Sequence, residues 1–244
     1  MIILSCTYVR HHYTRTMHTL LTTILKRYKL YPTNILALGD EEIWWLPSWS
    51  SDHQMWVIVS TRDVVSSGRE SIPSAKLYAH KLEAYRITGM MQLTYALHAQ
   101  INTLEPKKWD KLLETVAKHS TPYWLLVLDV KLPWYYDQIS KSGSHTEVSK
   151  DAVTLSSWTS RKNSYTHDQI QFLPVDGQAD LYHKTQTTQQ YYTMTLSDIK
   201  KLSSPYFESI TVLDLKWRKL SKAADHVLLV CQMWGPEWKA KVKA

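Results

Sequence analysis

The chain has 244 residues, a formal net charge of +7 and a sequence pI near 9.2, with 44% hydrophobic and 21% charged residues. That suits a globular protein with a sizeable core and excludes a membrane-spanning helix, since no run approaches the roughly 18 apolar residues a span needs. The six glycines (Gly39, Gly68, Gly89, Gly143, Gly177 and Gly235) are all isolated, so neither a dinucleotide-binding fingerprint nor a P-loop is present.

Ile2–Val9 reads as a first strand and is too short for a signal peptide. Thr14–Leu30 reads as a helix, because Met17, Leu20, Leu21, Ile24 and Tyr28 recur at three- and four-residue steps. Lys26, Arg27 and Lys29 suit its last turn, and Pro32 ends it. Asn34–Leu38 and Ile43–Leu46 read as a hairpin around Gly39-Asp40, and Met55–Ser60 as another strand before polar Thr61–Ser71.

From Ser74 to Leu104 the apolar residues Leu77, Leu82, Tyr85, Met90, Leu93, Leu97, Ile101 and Leu104 predict a long helix, interrupted at Gly89. Lys107–His119 continues it, with Trp109, Leu112, Leu113 and Val116 on one face, so the two predict a helical hairpin. Tyr123–Leu132 is a short apolar run bounded by Pro122 and Pro133 and reads as a buried strand.

After Pro133 the chain turns polar. Trp134–Lys150 reads as turns, Ala152–Trp158 as a strand and Thr159–Asp168 as a loop. Gln169–Leu173, Asp180–His183 and Tyr191–Leu196 are short strand candidates, with Lys184–Gln190 an exposed turn. Ser197 would cap a short helix over Asp198–Leu202, and Ile210–Trp217 and His226–Trp234 are the last strands. The expectation is an α+β fold: a mixed or antiparallel sheet, a helical hairpin on one face and a strand-rich C-terminal half. One domain over 1–244 is expected, softly divided into 1–135 and 136–244.

Asp-x-Lys occurs twice on predicted strands, as Asp129/Lys131 and Asp214/Lys216. Two residues apart, both side chains lie on one side of a strand. The pattern resembles the second half of the PD-(D/E)xK nuclease core. The resemblance implies a carboxylate holding Mg²⁺ and a lysine steadying phosphoryl charge, with Asp63 and Glu83, or Asp176, as the further acids. The alternative is a solvated strand edge or a local ion pair.

Basic residues also interleave with aromatics: Arg161 and Lys162; Lys216, Trp217, Arg218, Lys219 and Lys222; Trp238, Lys239, Lys241 and Lys243. Cations neutralise phosphates and indoles stack on bases. The set of 11 Trp and 15 Tyr against 2 Phe favours half-wet contact surfaces. The 11 histidines form no zinc-binding spacing; His11, His12 and His18 lack a helical register. Cys6 and Cys231 sit in apolar strands as structural thiols, in keeping with a reducing, intracellular setting.

The composition therefore favours a non-catalytic, basic nucleic-acid-binding protein inside a larger assembly, with protein partners, no membrane, no metal and no cofactor. A Mg²⁺-dependent nuclease and a viral or other structural subunit are the alternatives.

Overall fold

The computed structural model describes residues 19–40, 54–62, 65–66, 75–148, 152–162, 164–175, 178–214 and 224–233. In chain order the strands are β1 (Asn34–Leu38), β2 (Gln54–Val59), β3 (Lys76–Ala79), β4 (Met91–Ala96), β5 (Ser120–Lys131), β6 (Ser144–Val148), β7 (Val153–Arg161), β8 (Ser164–Val175), β9 (Gln178–Tyr192), β10 (Ser209–Asp214) and β11 (His226–Met233). The helices include α1 (residues 19–27), α2 (Pro106–Lys118), α3 (Pro133–Lys141) and α4 (Leu196–Ser203).

Seven strands form one sheet in the order β10-β11-β5-β4-β1-β2-β3. β3, β2, β1, β4 and β5 run parallel, while β11 and β10 add antiparallel pairs at the β5 edge. Both faces are covered. Leu36, Leu38, Trp56, Ile58, Leu126 and Leu128 pack with Trp109, Leu112, Leu113 and Val116 of α2 and Ile199 of α4. Ile35, Ala37, Val57, Leu93, Val127 and Leu228 pack with Leu20, Leu21 and Ile24 of α1. A strand buried on both faces has no polar side to show, so its sequence is a continuous apolar run. This is why Ile35–Leu38, Met55–Val59, Trp124–Leu128 and Val227–Cys231 are unbroken by polar residues.

This is a doubly wound α/β sheet, not the expected α+β fold with a helical hairpin. The Ser74–Leu104 helix is absent: that stretch is β3, a 3-10 turn at Leu82–Ala84, β4 and a second 3-10 turn at Gln100–Thr103. Its misleading feature is that Leu93 and Leu97, four apart, share a face on a strand as well as on a helix. Gly89 at φ +110° and the consecutive left-handed residues His98 and Ala99 (φ 56° and 54°) then turn the chain where a helix would continue. The helix of Lys107–His119 is real, as α2, begun by Pro106 and steadied by a Glu114–Lys118 ion pair. Within residues 19–27 the first predicted helix also holds, whereas Ile2–Val9 and Ile43–Leu46 lie outside the described residues. Gly39-Asp40 is no hairpin tip, since β1 pairs in parallel with β2 and β4.

The polar second half is more ordered than its composition suggests. Trp134–Lys150 contains α3 and β6, and Thr159–Asp168 is the β7–β8 hairpin rather than a loop. Lys184–Gln190 lies inside β9, not in a turn. Together β6-β7-β8-β9 form a second, antiparallel sheet. An unbroken run of Thr and Gln over residues 185–190 suits a strand wet on both faces, and low complexity hides this. α4 begins one residue before Ser197 and is capped by Thr195, whose Oγ1 accepts from Asp198 N–H at 3.2 Å.

One buried side chain joins the two sheets. Asn102 Nδ2 donates to Lys131 O and to Tyr192 O, each at 2.9 Å, and its Oδ1 accepts from Lys131 N–H at 2.9 Å. Asn102→Ala strands three backbone groups and is expected to cost about 3 kcal/mol in chemical denaturation; a change under about 1 kcal/mol would show that the clamp is dispensable.

Candidate functional site

In open α/β sheets, ligands bind beyond the carboxyl ends of the strands, where strand order reverses. Here the reversal lies between β1 and β4, since the chain runs outward from β1 to β2 and β3 before returning to β4 and β5. A cleft of about 370 Å³ opens at that end, lined by Gly39, Asp40, Ser60, Leu82, Gln100, Thr103, Gln189 and Tyr191. The first six follow β1, β2, β3 and β4; the last two come from β9. The small sheet thus forms the outer wall of the cleft.

Gly39 turns the chain at φ +126°, and its N–H donates to Ile58 O at 2.9 Å. A Cβ on it would stand 2.5 Å from Gln100 Cγ and 2.8 Å from Gln100 Cβ, so the bare backbone is what lets the β1 and β4 turns close up. Asp40 projects a carboxylate along the same floor. Its Oδ1 accepts from Ser60 N–H at 2.6 Å and its Oδ2 from Ser60 Oγ at 2.5 Å.

Behind the β9 wall lies an aromatic cluster. The Tyr191 ring is 5.5 Å from those of Tyr136 and Trp158; Tyr136 stacks on Tyr165 at 5.0 Å, and Trp158 on His167 at 4.3 Å and 10°. Tyr165 OH donates to Asp137 Oδ1 at 2.6 Å, and burial followed by that bond pushes its phenol up to about 12. The Tyr136 hydroxyl has no hydrogen-bond partner among the described residues. Burial, then Tyr191, Tyr135, Asp129 and Tyr165, holds its phenol well above the usual range.

Burial holds the His167 imidazole below its ordinary value of 6.5, with Asp168 opposing. The unfolded chain therefore takes up the proton more readily, so His167 stabilises the fold fully above about pH 6.5, and that contribution is lost as pH falls through its lowered folded value. The expected outcome is a lower unfolding temperature at pH 5.5 than at pH 7.5, with a smaller drop in His167→Gln. Equal drops in both proteins would remove His167 from the effect.

The described residues among those predicted from sequence do not line this cleft. Asp129 is fully buried on β5; Oδ2 accepts from Ala99 N–H at 3.0 Å, and Oδ1 meets His226 Nε2. It is not paired with Lys131, whose Nζ donates to Tyr135 OH at 3.1 Å and lies 4.2 Å over that ring. Asp214 ends β10 half-buried, and Lys216 lies outside the described residues. Glu83 faces Lys108 at 3.9 Å; Asp63 and Asp176 lie outside the described residues. No group of His, Cys, Asp or Glu suited to a metal occurs among the described residues. Arg161 and Lys162 are exposed on the β7–β8 hairpin, where Arg161 opposes Ser164 and Ser164 opposes Tyr192 of β9, and neither lines the cleft. Trp217, Arg218, Lys219, Lys222, Trp238, Lys239, Lys241 and Lys243 lie outside the described residues, as do His11, His12, His18 and Cys6. Cys231 is a buried free thiol, raised to about 12 by burial. No described helix is long and apolar enough to cross a membrane.

Gly39, Asp40, Ser60 and Gln100 were passed over in sequence. The signal for them is positional: Ile35–Leu38 and Met55–Val59 are continuous apolar runs, each ending directly in a small or acidic residue. Two such runs imply parallel strands, and parallel strands put a ligand at their carboxyl ends.

No protein-family model matches the sequence, and no curated protein is similar to it in sequence. Solved structures are similar in fold. An S-adenosylmethionine-dependent methyltransferase from Clostridium acetobutylicum superposes with a TM-score of 0.80 at 11% identity, over 95% of this chain and 100% of that one. A sugar N-methyltransferase from a Streptoalloteichus species gives 0.75 at 8% identity, over 96% and 94%. An amino pentose methyltransferase from Micromonospora echinaspora, solved with S-adenosylmethionine bound, gives 0.71 at 10% identity, over 95% and 96%. This whole-length likeness to methyltransferases contradicts the expected non-catalytic nucleic-acid-binding protein, as well as the nuclease and the viral or structural subunit. It equally contradicts the expectation of no cofactor other than a nuclease's Mg²⁺. Net charge misled because it reports a chain-wide sum, whereas a site is a local arrangement.

Proposed function

We propose that the chain is an S-adenosylmethionine-dependent methyltransferase that uses the cleft at the ends of β1, β2 and β4. The observation carrying this reading is the coincidence of two things: full-length likeness to methyltransferases, and a ligand-sized cleft at the switch point with a glycine turn and a carboxylate on its floor. The residues fit the cofactor. S-adenosylmethionine contains adenosine but no phosphate, so it needs no glycine-rich anion cradle. A single tight turn at Gly39, a carboxylate at Asp40 and the hydroxyl and amide groups of Ser60, Gln100 and Thr103 supply the donors and acceptors such a molecule needs.

When bound, S-adenosylmethionine supplies an electrophilic methyl group on a sulfonium. The chain's own part is to hold and orient. Gly39 permits close backbone approach, Leu82 gives an apolar contact, and Gln189 and Tyr191 wall the side on which an acceptor would enter. The aromatic cluster behind Tyr191 fixes that wall. An acceptor nitrogen on a sugar is the substrate class favoured, because two of the similar structures are described as amino pentose and sugar N-methyltransferases.

Calorimetric titration tests the cofactor and mass spectrometry of aminosugar mixtures tests transfer. The expected dissociation constant lies between about 1 μM and 1 mM, with S-adenosylhomocysteine formed only when an acceptor is present. Absence of any heat with about 1 mM cofactor would defeat the proposal.

A further inference from the structure

Doubly wound sheets that bind nucleosides meet the ribose hydroxyls with an acidic side chain at the end of the second strand, about 20 residues beyond the first turn. In this chain that place is held by Ser60, 20 residues after Asp40. Ser60 is a donor, not an acceptor, in both of its contacts: its N–H and its Oγ reach across from β2 to the two oxygens of Asp40, on the turn after β1. The strand expected to bring a carboxylate instead brings two donors that hold the neighbouring strand's carboxylate in place. Asp40 lines the cleft beside Gly39 and Gln100. Each carboxylate oxygen offers two acceptor sites, and Ser60 occupies one on each. Among the described residues one acceptor site on each oxygen therefore stays open, a pair suited to two adjacent hydroxyls.

We propose that Asp40 is the ribose-recognition residue, receiving the 2′ and 3′ hydroxyls of the bound nucleoside, with the acidic group moved one strand over and Ser60 as its positioning residue. This rests on the reading of the cleft as an S-adenosylmethionine site. The competing role, in which Asp40 does no more than satisfy the Ser60 N–H and hydroxyl just after β2, is indifferent to a ligand's hydroxyls, and that difference makes the test.

Binding of S-adenosylhomocysteine and of its 2′-deoxy and 3′-deoxy analogues is measured by calorimetry on the full chain, alongside thermal unfolding. The wild type is expected to prefer the ribose compound by about tenfold or more, the size of a hydrogen bond to a charged group. Asp40→Asn should weaken S-adenosylhomocysteine by about tenfold or more and abolish the preference. The exchange Asp40→Ser with Ser60→Asp, which returns the carboxylate to β2, should restore it. A folded Asp40→Asn protein that keeps the wild-type preference overturns the proposal, as does a wild type with no preference. If Asp40→Asn fails to fold, the wild-type ratio and the exchange variant decide. Failure of the wild type to bind S-adenosylhomocysteine at all removes the cofactor reading and this inference with it; binding whose preference ignores Asp40 removes this inference alone.

Discussion

Gly39→Ala is expected to lower the unfolding temperature by about 5–15 °C and to abolish binding in the cleft. Two costs combine. At φ +126° an L side chain is strained, worth about 1–3 kcal/mol. The added methyl also meets Gln100 Cγ and Cβ at 2.5 and 2.8 Å, an overpacking worth about 1–3 kcal/mol more. Gln100 Cβ lies next to its own main chain, so a rotamer change cannot clear the clash; the 3-10 turn must shift. Truncating Gln100 to glycine in the same protein should recover the steric part and leave the strain. Differential scanning calorimetry of the two single variants and the double variant separates these. A Gly39→Ala protein melting within about 1 °C of wild type would refute the argument.

The second large effect is expected at Asp129. Asp129→Ala leaves the Ala99 N–H and His226 without their shared acceptor in a fully buried position, a change worth about 3–5 kcal/mol. Asp129→Asn keeps the shape and one acceptor and should cost less, about 1–3 kcal/mol. Lys131→Ala removes a half-buried contact to Tyr135 and should cost about 1 kcal/mol or less. Because the two side chains have separate partners, the double variant should equal the sum of the singles within about 0.5 kcal/mol. A coupling well above that would revive the Asp-x-Lys pair as a working unit. Urea denaturation of the four proteins gives the cycle directly.

What could be read in advance follows from how many faces an element buries. β5 was legible because an apolar run between prolines leaves little choice of structure. α2 was legible because Trp109, Leu112, Leu113 and Val116 form a stripe begun by Pro106. β3 and β4 were not, because Leu93 and Leu97, four apart, satisfy strand and helix spacings alike, and only the turns at Gly89 and His98-Ala99 tell them apart. β9 was hidden for the opposite reason: Thr185–Gln190 has no apolar member at all, and its strand state comes from pairing with β8. The site was missed because its members come from four turns and a distant strand. Scarce glycine weighs against phosphate ligands but carries no information about nucleosides without phosphate. Asp129 and Lys131 drew notice for standing in an apolar run, but a buried carboxylate also serves to anchor a strained turn, as it does at Ala99.

The Asn102 amide touches the chain at Lys131 and again at Tyr192, so everything between departs from and returns to one spot. Residues 132–192, which bring Gln189 and Tyr191 to the cleft, leave and rejoin the parallel framework at that amide. Such a cassette can be exchanged for another of matching ends without rethreading the strands beneath it. The outer wall of the cleft can thereby diverge while the half built by β1, β2 and β4 is left untouched.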